Sequence, residues 1–168
     1  MEINELSDRQ IDVFIDNYKA YGKETGGKFP LSELLLEKKR RIVSPFPPER
    51  TAKTIVRLAK NSHDGFVTYK EVWQNFRPDK VWTGNAPRAE IANALGRVIA
   101  YCIDNKLPII STLVVRSSTR NHSDEAVSNI YNEAKALGAD VGHDAIAFVK
   151  SQQEQARLLT AHWASESG

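Results

Sequence analysis

Phe66-Val-Thr-Tyr-Lys-Glu-Val-Trp-Gln-Asn-Phe76, then Pro87-Arg-Ala-Glu-Ile-Ala-Asn-Ala-Leu-Gly-Arg97, then Ile109-Ile-Ser-Thr-Leu-Val-Val115 form the stretch whose reading decides the fold. Residues 66–69 are β-prone, 70–76 suit a short helix, 87–105 a longer one, and 109–115 an apolar strand. Strand, short helix, long helix, strand is the order of a winged helix-turn-helix core, which expects nucleic-acid binding without requiring it. The interval between the two helices, 75–85, is longer than the three- or four-residue turn of a tight helix-turn-helix.

The long helix has clear ends. Pro87 suits the first helical position, where a missing N–H costs nothing, and Leu107-Pro108 closes the segment. Ile91, Leu95, Val98 and Cys102 recur at spacings of four, three and four, flanked by Ile99 and Ile103, and so form a core-facing stripe. Asn93, Gly96, Arg97 and Ala100 fall opposite. Small residues there allow close approach to a surface, and Asn and Arg are shaped for bidentate contact with adenine and guanine edges. Asn93 and Arg97 are therefore the leading base-contact candidates. On the plainer alternative Arg97 solvates a surface helix and Gly96 relieves a packing contact.

Thr68-Tyr69 and Pro87-Arg-Ala-Glu-Ile-Ala-Asn-Ala-Leu-Gly96 resemble the winged-helix half of the DNA alkyltransferase and alkyltransferase-like proteins, over residues 66–116. In that family a Thr-Tyr strand end opens one helix, and an Arg-Ala step opens a recognition helix that enters the minor groove. The resemblance thus implies a DNA contact for Arg88. The family's Pro-Cys-His-Arg motif is missing, because the corresponding place reads Ile110-Ser-Thr-Leu-Val-Val-Arg116, and Cys102 lies on the apolar face of the helix. Alkyl transfer is not expected. The C-terminal two-thirds, through Leu107-Pro-Ile-Ile-Ser-Thr-Leu-Val-Val115 and two further helices ending near Phe148-Val-Lys-Ser-Gln-Gln153, is similar to an uncharacterised group of small bacterial proteins, a likeness that implies no activity.

Cations supply the other candidates. A helix over 48–61 places Ile55, Val56, Leu58 and Ala59 inward and steps Arg50, Lys53, Arg57 and Lys60 along one outer face, a stripe suited to phosphates. After the last strand, the polar tip 116–121 would act as a wing with Arg116 and Arg120 toward phosphates, although no second wing strand follows. Lys38-Lys-Arg-Arg41 ends an earlier helix, 33–41, capped by Ser32; the cluster suits the helix dipole, with Glu37 able to pair with Arg41, or else forms a phosphate patch. Trp73, Phe76 and Trp82, beside Arg77 and Lys80, either make a stacking platform for single strands or close a core around the loop.

Elsewhere, Ser7-Asp-Arg-Gln10 is a capping-box pattern with Leu6 and Ile11 placed as its hydrophobic staple, opening a helix that should stop at Gly22. The loop 24–28 lacks the strand and Gly-Lys-Ser/Thr context of a phosphate cradle. Ser123 caps an acid-started helix ended by Gly138. A last helix, from 144 to about 164, lines up Val149, Gln152, Ala156, Leu159 and Trp163.

Composition describes an ordinary globular chain: 168 residues, 41% hydrophobic and 26% charged, with a net charge of +2 too small to identify a nucleic-acid binder. A single cysteine excludes an intrachain disulfide and suits a reducing compartment. The first residues have neither the basic start nor the apolar run of a secretion signal, no segment approaches the ~20 apolar residues of a membrane span, and a cytoplasmic location is expected. His63, His122, His143 and His162 are scattered; neighbours such as His122 and Asp124 read as turn and cap residues. No metal, cofactor or catalytic motif is expected, which leaves an enzyme only through groups that meet in the fold.

The sequence therefore predicts one α+β domain, mainly α, over 1–168: docking helices in 1–43, a winged-helix-like core in 44–121 and C-terminal helices in 122–168. The function expected is non-catalytic binding of double-stranded DNA by a helix in a groove and a basic phosphate-contacting face. The alternative is a protein-interaction module, an adaptor or inhibitor, that presents the basic stripe to an acidic protein partner.

Overall fold

In the computed structural model, which describes residues 1–22 and 26–166 with side chains as far as residue 162, Ser7 opens the first helix, α1 (Asp8–Tyr21), through a complete capping box. Ser7 Oγ accepts from the Gln10 amide at 3.1 Å, and Gln10 Oε1 accepts from the Ser7 amide at 2.7 Å. These bonds satisfy amides that the first helical turn cannot. Leu6 and Ile11, the staple pair, are both buried, and Gly22 ends the helix in the left-handed region (φ 63°), where a Cβ is penalised. α2 (Leu31–Arg40) starts differently from expectation. Pro30 is its N-cap and no side chain caps it, so Ser32 lies inside the first turn rather than before it. Of the loop 24–28, residues 24 and 25 lie outside the described residues.

α3 (Pro48–Lys60) begins on a proline, as its sequence predicts. The two-residue strand β1 (Val67–Thr68) then runs directly into α4 (Tyr69–Phe76), because Thr68 is both strand end and N-cap: its Oγ1 accepts from the Glu71 amide at 3.2 Å. α5 (Ala86–Asp104) leads to a 3-10 turn, Ile110–Leu113, and to β2 (Val114–Val115). β2 pairs with β1 in parallel, Val67 opposite Val114 and Thr68 opposite Val115. α6 (Asp124–Ala136), capped by Ser123, and α7 (Ala145–Glu166) complete a mainly helical α+β arrangement. Among the described residues no helix is long and apolar enough to cross a membrane.

The expected strand 109–115 is thus mostly a helical turn. Its polar groups are held from outside the sheet: Gln152 Oε1 accepts from the Ile109 amide (2.9 Å), and the Thr112 carbonyl accepts from Gln153 Nε2 (3.0 Å). With α7 supplying these partners, the buried backbone stays satisfied without a longer ladder.

α5 is covered on two sides. Ile91, Leu95, Val98 and Cys102 join α3, α4, the sheet and α7 in one buried cluster, while Ile99 and Ala100 join α6 and α7 in a second. Val98 is wholly inaccessible, and burying such a side chain contributes roughly 1.5–3 kcal/mol. A third cluster joins α1 to α2. The end of α2 is then clamped onto α5, Arg40 donating from Nε and Nη2 to the Asp104 carboxylate at 2.9 and 2.8 Å.

Candidate functional site

α5 changes character along its length. Arg88, Ala89, Ala92 and Asn93 are exposed; from Arg97 to Ala100 every residue is buried. The expectation that Arg97 and Ala100 share an exposed face is corrected here. Arg97 is 8% exposed, with Nη2 donating to Ser44 Oγ at 2.8 Å and Nε without a partner among the described residues. Helical periodicity places Arg97 opposite the main stripe, but α2 and the segment before α3 cover that opposite side. Desolvation pulls its pKa below the usual arginine value, with the Glu90 charge opposing. Gly96 is half-buried, and a Cβ there would meet only Lys39 Nζ at an ordinary contact distance of 3.7 Å, so close packing does not require a glycine at this position. Asn93 remains open to solvent, and Arg88 is exposed with its guanidinium 5.2 Å from the Trp82 ring centre.

The phosphate candidates divide as well. Arg50, Lys53, Arg57 and Lys60 are all exposed along α3, as predicted. Lys53 pairs with Glu49 (3.1 Å), Arg57 donates to Asn75 Oδ1 (3.0 Å), and Arg50 lies over the Phe76 ring (5.2 Å). An exposed pair of this kind is worth about 0–1 kcal/mol and yields readily to a phosphate. Arg116 is exposed at the start of the 116–121 tip. Arg120 is corrected: instead of facing solvent it reaches back to the turn before β1, donating to Asp64 Oδ2 (2.9 Å), Asp64 Oδ1 (2.6 Å) and the Phe66 carbonyl (3.0 Å). Its backbone is left-handed (φ 53°), and its amide donates to the Arg116 carbonyl at 2.9 Å. The tip is a closed turn fastened to the fold.

The cluster 38–41 behaves as a set of struts. Lys38 meets Asp12, Lys39 meets Glu133, Arg40 meets Asp104 and Arg41 meets Asp8, each within 3.3 Å, and Glu37 pairs with Arg41 as its spacing suggests. The aromatic group also belongs to the core. Trp73 is buried, edge-on to Trp82 at 5.5 Å, and its Nε1 donates to Glu90 Oε1 at 2.9 Å. Arg77 closes the network with a 2.9 Å bond to Glu90 Oε2 and holds that carboxyl below its usual range. A predicted place for Trp163 in the α7 stripe lies outside the described side chains.

Beside Asn93 the structure opens a cavity of about 290 Å³ between α5, α6 and the 3-10 turn. Ala92, Leu95, Ile99, Ala126 and Ile130 give it an apolar wall; Tyr69, Asn93, Ser111, His122 and Asn129 bring polar groups; Lys39 and Glu133 are its charged residues, paired at 3.3 Å. Ser111 and His122 are only 3% and 9% exposed. His122 Nε2 lies 2.7 Å from the Thr112 carbonyl, while His122 Nδ1 and Ser111 Oγ have no partner among the described residues. A buried polar atom left unpaired costs about 1–3 kcal/mol. Burial pushes the His122 pKa down, the Thr112 bond opposes it, and the Arg116 charge adds to the fall. Burial raises the Tyr69 pKa, with Arg116 opposing.

This cavity was not visible in the residue pattern, which assigns His122 to a turn before the Ser123 cap. The available signal was Ser111-Thr112, two hydroxyls interrupting an otherwise apolar run. Among the described residues no group of three or more His, Cys, Asp or Glu side chains is placed to hold a metal ion. No protein-family model, curated protein or solved structure matches this chain.

Proposed function

We propose that the protein is a non-catalytic double-stranded DNA-binding protein in which α3, β1, α4, α5 and β2 serve as a winged helix-turn-helix-like unit and the first half of α5 enters a groove. The observation that carries this reading is the asymmetry of α5: its first two turns expose Arg88, Ala89, Ala92 and Asn93, whereas residues 97–100 and Cys102 are buried. Recognition helices meet base edges with their N-terminal residues while the remainder packs on the domain. Arg88 and Asn93 take the groove contacts, with Ala89 and Ala92 allowing close approach. Arg116 and the α3 residues Arg50, Lys53, Arg57 and Lys60 take phosphates. Arg97 and Arg120 have structural roles and fall outside the interface.

Fluorescence anisotropy of labelled duplexes across a salt series tests the reading. Binding weakens by about 0.9 log units per tenfold salt for each phosphate neutralised, so Arg57→Ala lowers affinity for all duplexes and flattens the slope by about one contact. Asn93→Ala costs about 1–3 kcal/mol on a selected sequence and much less on random duplex. Absence of duplex retention at low salt overturns the proposal; retention of an acidic polypeptide under the same conditions then shifts the function to a protein-interaction module.

A further inference from the structure

We infer that the cavity between α5 and α6 is a binding site for a small, neutral, planar molecule carrying an N–H donor, of the class of free nucleobases and aromatic amides. The inference does not depend on duplex binding, although Asn93 belongs to both regions, and it rests on two orphaned atoms of residues that line one cavity. The Thr112 carbonyl can only accept, so His122 Nε2 must carry the proton in that 2.7 Å contact. In the neutral imidazole, Nδ1 is then a lone pair, and it is buried without a donor. Ser111 Oγ, equally buried and unpartnered, can donate or accept. A native fold rarely leaves two such atoms on residues that line the same cavity without a reason.

The remaining lining defines the ligand. Leu95, Ile99 and Ile130 offer apolar contact, whereas Asn93 and Asn129 add amides at the exposed side. Lys39 and Glu133 neutralise each other, so the wall presents no unpaired charge to a charged ligand. At about 290 Å³ the space lies at the lower end of small-molecule pockets, which suits one ring or a fused pair. A carboxylate in the same place would set a lone pair against the Nδ1 lone pair.

The test titrates the full chain with adenine, uracil and benzamide, using benzoate as the matched control that lacks the N–H. Calorimetry reads affinity, and long-range ¹H–¹⁵N spectra read the His122 ring. The expected result is saturable binding of at least one of the three, with benzamide at least tenfold tighter than benzoate and a shift confined to the Nδ1 resonance. Asn129→Trp, on the exposed side of α6 and outside the duplex interface, lowers affinity at least tenfold without moving the melting temperature. Ser111→Ala removes one orphan and therefore raises the ligand-free melting temperature while weakening binding at least fivefold. The inference is overturned if none of the three probes saturates, if benzoate matches benzamide, if His122 carries its proton on Nδ1, or if both variants bind as the parent does. None of these readouts involves DNA, so such a result leaves the duplex proposal standing.

Discussion

Arg120→Ala separates a structural arginine from a phosphate-contacting one. The guanidinium makes two bonds to the Asp64 carboxylate, at 2.9 and 2.6 Å, and two more to Ser62 Oγ (3.1 Å) and the Phe66 carbonyl (3.0 Å). Together they join the 116–121 tip to the turn that leads into β1. A charge-assisted bond is worth about 1.5–3 kcal/mol, but both side chains are about a quarter exposed, 29% and 26%, so solvent screens the pair. The expected loss is about 2–4 kcal/mol, or roughly 5–15 °C in melting temperature for a chain of this length. Arg and Ala share the left-handed backbone penalty at this position, so the difference reports the side chain. The loss also depends on pH in a defined direction. Arg120 holds the Asp64 carboxyl well below the usual carboxylate range, burial opposes it, and the Phe66 amide and Ser62 hydroxyl assist. A depressed folded pKa contributes stability that is present above the unfolded value, about 3.9, and is lost as pH falls through the folded one. Urea unfolding followed by circular dichroism should therefore show the parent–variant gap full at pH 7 and shrinking between about pH 4 and pH 2. The strut assignment is refuted by a gap under about 0.5 kcal/mol at pH 7, or by one that stays constant into acid. Arg116→Ala, in the same tip but exposed, is the control and should leave stability unchanged.

Two further outcomes follow from the burial of α5. Arg97→Met removes a desolvated charge whose one side-chain hydrogen bond among the described residues is to Ser44, so unfolding free energy should change by less than about 1 kcal/mol or rise, with duplex affinity unaltered; a loss above about 3 kcal/mol in urea denaturation contradicts this. Cys102 is wholly buried and its thiol is pushed up to about 11 by burial, with the Ile110 backbone bond opposing, so native-state labelling with a maleimide should be slow and should accelerate sharply only on unfolding.

Local signals in this chain survive into the fold because they act within one or two turns. The Ser7–Gln10 box, Gly22 and Ser123 mark helix ends by satisfying or terminating backbone bonds a few residues away, so their effect is already present in the sequence. The stripe Ile91, Leu95, Val98, Cys102 likewise follows from helical period alone. Periodicity names the most apolar face of a helix; whether the other face meets water depends on what is packed there. For α5 that was decided by α2, through the Arg40–Asp104 clamp, by the segment before α3, whose Ser44 meets Arg97, and by α6, which packs with Ala100, while Asn93 stays open. Tertiary structure likewise turned the apolar run 109–115 into a turn, because glutamines more than 40 residues later in the chain satisfy its backbone. The same long-range packing brings Ser111 and His122 to one cavity beside Asn93, and it draws Arg120 away from solvent to a carboxylate 56 residues earlier. Spacing along the chain carries the first kind of information and is silent on the second, since burial of a polar atom depends on neighbours supplied by distant segments.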